Sequence, residues 1–127
     1  MLFNIVVMLC LLAGVTKGET EPRYDPATVV YLRVVVTDVR AAAAENGLDG
    51  VWLTVRAEVR TNLDVYLGPA SFLKEFDITF AKGDEIQIIG SKIRIAKGVI
   101  VLAREVRKGS ATLYLRGRNG EPFWHAG

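Results

Sequence analysis

The feature that most constrains the fold is a strict alternation of side-chain character over residues 51–60. Successive side chains of a β-strand point to opposite faces of its sheet, so alternation places one face in an apolar core and the other in solvent. A helix would instead scatter the same apolar residues around its axis. The chain must therefore contain a sheet with one buried face. The apolar set is Val51, Leu53, Val55, Ala57 and Val59, and the intervening set is Trp52, Thr54, Arg56, Glu58 and Arg60.

Similar alternating segments recur along the chain, separated by turn residues such as Gly, Asn and Asp. Pro69, followed by apolar residues at helical spacing, predicts a short helix over residues 70–76. The four alanines at 41–44 are compatible with a helical turn. The predicted strands cover residues 29–39, 51–60, 63–67, 85–90, 92–95, 99–106 and 111–116.

Three strands, a short helix and then further strands is the order of the OB-fold. We therefore predict an all-β domain with one short helix, folded as a small OB-like barrel of five or six strands. Closure into a barrel also removes the open strand edges that invite aggregation. A sandwich is the alternative, although it would be expected to have more strands and no helix in the middle of the chain.

The first residues of the chain have the character of an export leader. The uncharged stretch at residues 5–15 has the length of a signal-peptide core and falls short of the roughly 20 residues of a membrane-spanning helix. We predict a signal peptide at 1–18, a linker at 19–28 and the barrel domain at 29–127. The protein would then be periplasmic or secreted. The alternative is an uncleaved leader that anchors the protein in a membrane, which would be its only membrane contact.

The residues that usually carry catalysis or metal binding do not form a recognisable set. Cys10 is the only cysteine and lies in the leader, and His125 is the only histidine, so no zinc site can be assembled from these residue types. Ser71 and Lys74 match a Ser-x-x-Lys nucleophile motif, but the Ser-Asp-Asn and Lys-Thr-Gly motifs that complete such a site are absent from the sequence. We predict a protein that is not an enzyme and has no cofactor and no metal.

The polar face of the second and third predicted strands is the best candidate for a binding surface. OB-folds bind single strands on such a face, where aromatic rings stack on bases and cations contact phosphates. The alternative is that Trp52 and Tyr66 form a cross-strand pair that stabilises the sheet, or lie under the linker. The predicted ligand-binding residues, all expected to point outward, are Trp52, Arg56, Arg60, Tyr66 and Arg33, with Tyr31 beside them.

These observations predict an exported, non-enzymatic accessory module of the cell envelope that binds a protein or a small ligand. Binding of single-stranded nucleic acid or another anionic polymer is the alternative. The formal net charge is only +2, with both signs mixed along the chain, which gives little long-range attraction to a phosphate backbone. Nucleic acid is therefore the less favoured partner.

A series of short motifs from residue 67 onward resembles a known family. It includes Leu67-Gly68-Pro69, Phe72-Leu73, Gly83-Asp84-Glu85-Ile86 and Gly120-Glu121-Pro122-Phe123-Trp124. In this order the motifs resemble the small exported bacterial domains of the MamS and MamX type, which are associated with magnetosomes. The resemblance implies an OB-like fold and a periplasmic or membrane-associated accessory role. Some relatives carry Cys-x-x-Cys-His haem sites, and this chain has none, so the resemblance does not imply electron transfer.

Overall fold

The computed structural model describes residues 22–45 and 47–125. The predicted leader lies outside these residues, as does the first part of the predicted linker. In the described part of the chain, no helix has the length and apolar character needed to cross a membrane. The elements are a 3-10 turn (Pro26–Thr28), β1 (Val29–Glu45), β2 (Leu48–Glu58), β3 (Thr61–Gly68), the helix α1 (Ala70–Leu73), β4 (Glu85–Ile95), β5 (Gly98–Lys108), β6 (Ala111–Tyr114) and a second 3-10 turn (Phe123–His125).

The six strands form one sheet in the order β3-β2-β1-β4-β5-β6, which closes on itself through an additional pairing of β3 with β5. This closing pair is parallel and joins residues 64–66 to residues 100–102. Five strands therefore make a closed barrel, and β6 extends the sheet along the remaining length of β5, where residues 111–114 pair with 105–108. The prediction of an all-β barrel with one short helix is confirmed.

The barrel interior is filled by the apolar set of each alternating strand. In β2, Leu53 and Val55 have no exposed surface, as expected from the alternation. Phe72 and Leu73 of α1 pack against the same cluster. The buried interior residues are Val34, Val36, Leu53, Val55, Leu63, Val65, Leu67, Ile86, Ile88, Val101, Ala103, Val106, Leu113 and Leu115.

Several element boundaries differ from those predicted. The helix ends at Leu73 rather than at residue 76. The alanines at 41–44 belong to β1, not to a helical turn, because residues 41 and 42 pair with Val51 and Gly50 of β2. Residues 85–95 form one continuous strand through Gly90 instead of two shorter ones.

Gly50 marks the closest approach between two neighbouring strands. Its φ is +142°, a conformation that residues with a side chain rarely adopt, and a Cβ placed there would lie 2.1 Å from the carbonyl oxygen of Gly68. Only glycine allows β2 and β3 to meet at this distance. The contact fixes the end of β3 immediately before Pro69 and α1.

A second apolar cluster lies on the outer side of the barrel wall. It consists of residues that alternate with the interior set, namely Leu48, Trp52, Tyr66, Ile100 and Leu102. Two segments from opposite ends of the described chain pack over it. These are the strap, residues 22–28, which contributes Tyr24, and the C-terminal 3-10 turn, which contributes Trp124. We call this region the covered face.

Candidate functional site

Trp52 and Tyr66 are not part of an exposed surface. Trp52 has no exposed area and Tyr66 retains 2%, so the prediction that they point into solvent is wrong. They point away from the barrel interior, but the strap and the C-terminal turn cover them. They are direct cross-strand partners with ring centres 5.2 Å apart, and Tyr66 donates a hydrogen bond to the Asp49 carbonyl at 2.6 Å. As in the alternative interpretation, the two rings form a cross-strand pair, and the part of the predicted linker that the structure describes packs over them.

A polar network borders Trp52 on the barrel surface. One guanidinium nitrogen of Arg40 donates to Thr54 Oγ1 at 2.9 Å, and that hydroxyl donates to Asp64 Oδ1 at 3.0 Å. The Arg40 guanidinium also lies 5.8 Å from the centre of the Trp52 ring, within the range of a cation–π interaction. These contacts therefore fix the Arg40 guanidinium beside Trp52, at the edge of the aromatic cluster.

The three predicted arginines are exposed and lie on adjacent strands or in the turn that follows one of them. Arg56 lies on β2 in register with Asn62 of β3, and Arg60 lies in the turn that follows β2. Arg33 lies on β1, in register with Gln87 of β4. Val35 of β1 is the register partner of Arg56, so Arg33, two positions earlier on the same face, is a diagonal neighbour of Arg56 across the β1–β2 pair. A ligand-binding role for each of them stays a prediction.

Arg33 also belongs to the outer side of β1, β4, β5 and β6, which nothing in the described chain covers. The strand registers place outward-pointing side chains of these four strands side by side, so that they form two neighbouring rows across the sheet. We call this surface the open face. Its first row is Tyr31, Ile89, Glu105 and Tyr114, and its second row is Arg33, Gln87, Arg107 and Thr112.

The two tyrosines are the most prominent aromatic groups of the open face. Tyr31 is 56% exposed and Tyr114 is 55% exposed, although burial of such rings is normally favourable. They stand three strand spacings apart, which corresponds to about 14 Å. The Tyr31 hydroxyl donates to Gln87 Oε1 at 2.8 Å, which fixes the Tyr31 ring against the second row. Both rings therefore project from strands of the sheet into solvent.

The second row lines a shallow cleft of about 430 Å³, bounded by Arg33, Glu85, Gln87 and Arg107. Neither Arg33 nor Arg107 forms an ion pair within the described residues, whereas the neighbouring Glu105 lies 3.6 Å from Arg104. The two unpaired guanidinium groups flank the Gln87 amide. This arrangement can accept carboxylates and hydrogen-bonding groups next to two aromatic rings.

A salt bridge connects Asp84, just before β4, to Lys108, the last residue of β5. Asp84 Oδ2 lies 3.0 Å from Lys108 Nζ and accepts the Ala81 backbone N–H at 2.8 Å. That N–H, together with the Lys108 ammonium, lowers the pKa of Asp84 below its ordinary value. Lys108 also donates to the Thr79 carbonyl. These contacts hold the loop before β4 against the end of β5.

The described residues include the Ser-x-x-Lys motif but no cluster of metal-ligating side chains. Across residues 22–45 and 47–125, no group of three or more His, Cys, Asp or Glu side chains is placed to hold a metal ion. Ser71 and Lys74 are both exposed on or beside the single turn of α1. The His125 side chain lies outside the described ones.

Sequence reasoning found Arg33 and Tyr31 but missed Gln87, Arg107 and Tyr114. A signal for Tyr114 was present, because it stands between Leu113 and Leu115, both of which are buried. What the sequence lacks is the register that aligns four strands. That register depends partly on a bulge in β5 opposite the step from Ile89 to Gly90.

Comparison with known proteins identifies a family for this chain. No curated protein matches the chain. The model of one family, described as the MamS/MamX magnetosome protein family, matches residues 29–113. The match begins at the first residue of β1 and ends within β6, so it spans all six strands. The chain therefore belongs to the MamS/MamX magnetosome protein family.

Proposed function

We propose that this protein is a non-enzymatic accessory module of the cell envelope that docks onto a partner protein through the open face. The observation that carries the proposal is the pair of half-exposed tyrosines beside two arginines that have no ion-pair partner among the described residues. Tyr and Arg are enriched among the residues that dominate the energy of protein interfaces. Family membership supports a role connected with magnetosomes, and the predicted leader supports export.

The chemistry of the open face suggests what the partner presents. Arg33 and Arg107 favour carboxylates, since a planar guanidinium can form two parallel hydrogen bonds with one carboxylate group. Tyr31, Ile89 and Tyr114 favour apolar or aromatic side chains. The proposed partner is therefore a protein surface in which acidic residues border an apolar centre.

Photo-crosslinking in the native cell tests the docking. A photoreactive phenylalanine analogue is introduced at Tyr31 or Tyr114, and covalent adducts are detected after irradiation. We expect the same adduct from both positions, since one partner would cover both rings. The control position is Val59, which is 87% exposed and lies in the turn after β2.

Two double variants then assign the adduct to the open face. Arg33→Gln with Arg107→Gln should reduce its yield about tenfold or more, because two charge-assisted contacts are lost. Arg60→Gln with Lys74→Gln removes the same charge elsewhere and should leave the yield unchanged. An adduct that forms equally well from Val59, or that survives the first double variant, contradicts the proposal.

Single-stranded nucleic acid remains the second candidate, because exposed aromatic rings and arginines on a barrel wall also suit stacked bases and phosphates. Titration with a labelled oligonucleotide at low and high salt distinguishes the two. Saturable binding that weakens steeply with salt and is lost in the Arg33→Gln, Arg107→Gln variant would favour nucleic acid. With a protein partner, no such binding is expected.

A further inference from the structure

A second cleft, of about 680 Å³, lies between the strap and the hairpin formed by β4 and β5, away from the open face. β4 pairs with β1 only as far as Ser91. In the described chain, the same edge of β4 has no strand partner from Lys92 to Ile95. The backbone along this edge therefore remains available as one wall of the cleft.

Hydrogen bonds hold the strap that forms the opposite wall. The Asp25 N–H donates to Ser91 Oγ at 2.9 Å, and that hydroxyl donates back to the Asp25 carbonyl at 3.0 Å. Thr28 Oγ1 lies 2.9 Å from the same Ser91 hydroxyl, which has no exposed surface. The width of the cleft is thus set by a fixed contact between the strap and β4.

The charge of this cleft is positive and not neutralised internally. Arg23 from the strap and Lys92 and Arg94 from β4 line it, against the single carboxylate of Asp25. Asp25 Oδ1 already accepts the Ala27 N–H at 2.9 Å. Within the part of the chain that the structure describes, none of the three cations forms an ion pair. Three cations around one cleft repel each other, and a bound anion would relieve that repulsion.

The lining also has an apolar component. Ile93 and Val99 face the cleft beside the cations, so it combines a cationic rim with a hydrocarbon wall. Arginine recognises phosphate oxygens through its fork of N–H groups. The volume lies in the range of small-molecule sites and exceeds what an inorganic phosphate alone would fill. These features suit a ligand in which a phosphate group is joined to an apolar group.

The position of the cleft along the chain favours a lipid as the source of that group. The apolar stretch at residues 5–15 precedes Arg23 by eight residues, which span at most about 28 Å when fully extended. If the leader stays in a membrane, Arg23 is held within that distance of the lipid headgroups. We propose that this cleft binds the phosphate group of an anionic phospholipid headgroup. The proposal does not depend on the open face.

Short-chain lipids test the proposal without requiring a bilayer. The protein is purified with the N terminus that the cell leaves on it, in nonionic detergent if the leader is retained. It is titrated by calorimetry with dihexanoyl phosphatidylglycerol, with dihexanoyl phosphatidylcholine and with inorganic phosphate. We expect saturable binding of the phosphatidylglycerol, at least about tenfold tighter than that of the zwitterionic lipid, which has the same acyl chains but no net charge.

The variant Lys92→Gln with Arg94→Gln should weaken this binding about tenfold or more. Both side chains are exposed, so the variant should keep the far-ultraviolet dichroism of the parent protein. The matched control is Lys74→Gln with Lys82→Gln, which removes the same charge from the segment between α1 and β4, whose residues do not line the cleft. Equally tight binding of inorganic phosphate, lost in the same variant, supports the site but identifies a soluble phosphate as its ligand. Absence of saturable binding by all three probes, or equal loss in the control variant, overturns the proposal.

Discussion

The indole of Trp52 lies on the outer side of the barrel wall but has no contact with solvent. It stacks at a tilt on Tyr66, and Tyr66 in turn meets the edge of Trp124 with ring centres 6.2 Å apart. The Arg40 guanidinium approaches the Trp52 ring from the surface side. Residue type alone does not distinguish this position from an exposed one, because an aromatic ring between Val51 and Leu53 suits either a wet face or a second core. What decides its environment is the strap and the C-terminal turn, which come from elsewhere in the chain.

Truncation of Trp52 should therefore behave as a core mutation. We expect Trp52→Ala to lower the free energy of unfolding by about 3–5 kcal/mol, since it leaves a cavity that neighbouring rings cannot fill. Arg56→Ala on the same strand should change it by less than about 0.5 kcal/mol, because the side chain is exposed and makes no described polar contact. Urea unfolding followed by circular dichroism gives both values. Equal effects of the two substitutions would show that Trp52 is not buried in solution.

At the scale of the elements, the sequence correctly predicts strands in which apolar and polar residues clearly alternate. It fails where the extent of a strand depends on pairing with another strand. β2 follows directly from its sequence pattern. The alanines at 41–44 have high intrinsic helix propensity, yet pairing with β2 holds them in β1, an example of tertiary contacts overriding propensity. Gly90 resembles a strand end, but β4 continues through it in pairing with β5. The position requires glycine, since a Cβ there would lie 2.5 Å from the Leu102 carbonyl oxygen. The open face was missed for the same reason, since its rows arise only from the register of four strands.

The loop between α1 and β4 offers an element-scale prediction, because its end is tied to β5 by Asp84. The folded state holds the pKa of this carboxyl below its ordinary value of 3.8, through the Ala81 N–H and the Lys108 ammonium. A carboxyl with a lowered pKa stabilises the fold above its unfolded pKa and loses that contribution as pH falls through the folded pKa. Asp84→Asn should thus be less stable than the parent protein at pH 7, and the difference should shrink below about pH 4.

Urea midpoints at a series of pH values between neutral and strongly acidic measure this difference. Asp77→Asn is the matched control, since Asp77 lies in the same loop, is exposed, and has no described hydrogen bond or ion pair. Its effect should be small at every pH. A difference between Asp84→Asn and the parent protein that stays constant down to the lowest pH would contradict the assigned contacts.

The whole molecule contains two cores on opposite sides of one barrel wall, and the second depends on both ends of the described chain. The Arg116 guanidinium lies 5.8 Å from the ring centre of Tyr24 and 5.2 Å from that of Trp124. It also donates to the Gly120 carbonyl at 2.9 Å. Burial raises the pKa of Tyr24, while the charges of Arg104 and Arg116 act in the opposite direction. One buried cation therefore joins the strap to the C-terminal turn.

This arrangement predicts energetic coupling between residues a hundred positions apart in the chain. In a double-mutant cycle of Tyr24→Leu and Trp124→Leu, the two losses in unfolding free energy should depart from additivity by about 0.5–1.5 kcal/mol, since both rings act on Arg116. The coupling should disappear in an Arg116→Met background, which keeps the apolar stem and removes the charge. The control cycle of Tyr24→Leu with Tyr31→Leu should be additive within about 0.5 kcal/mol, because Tyr31 belongs to the open face. If Tyr24 and Trp124 prove additive while both single variants are destabilised, each end of the chain packs independently, and the covered face is not one cooperative core.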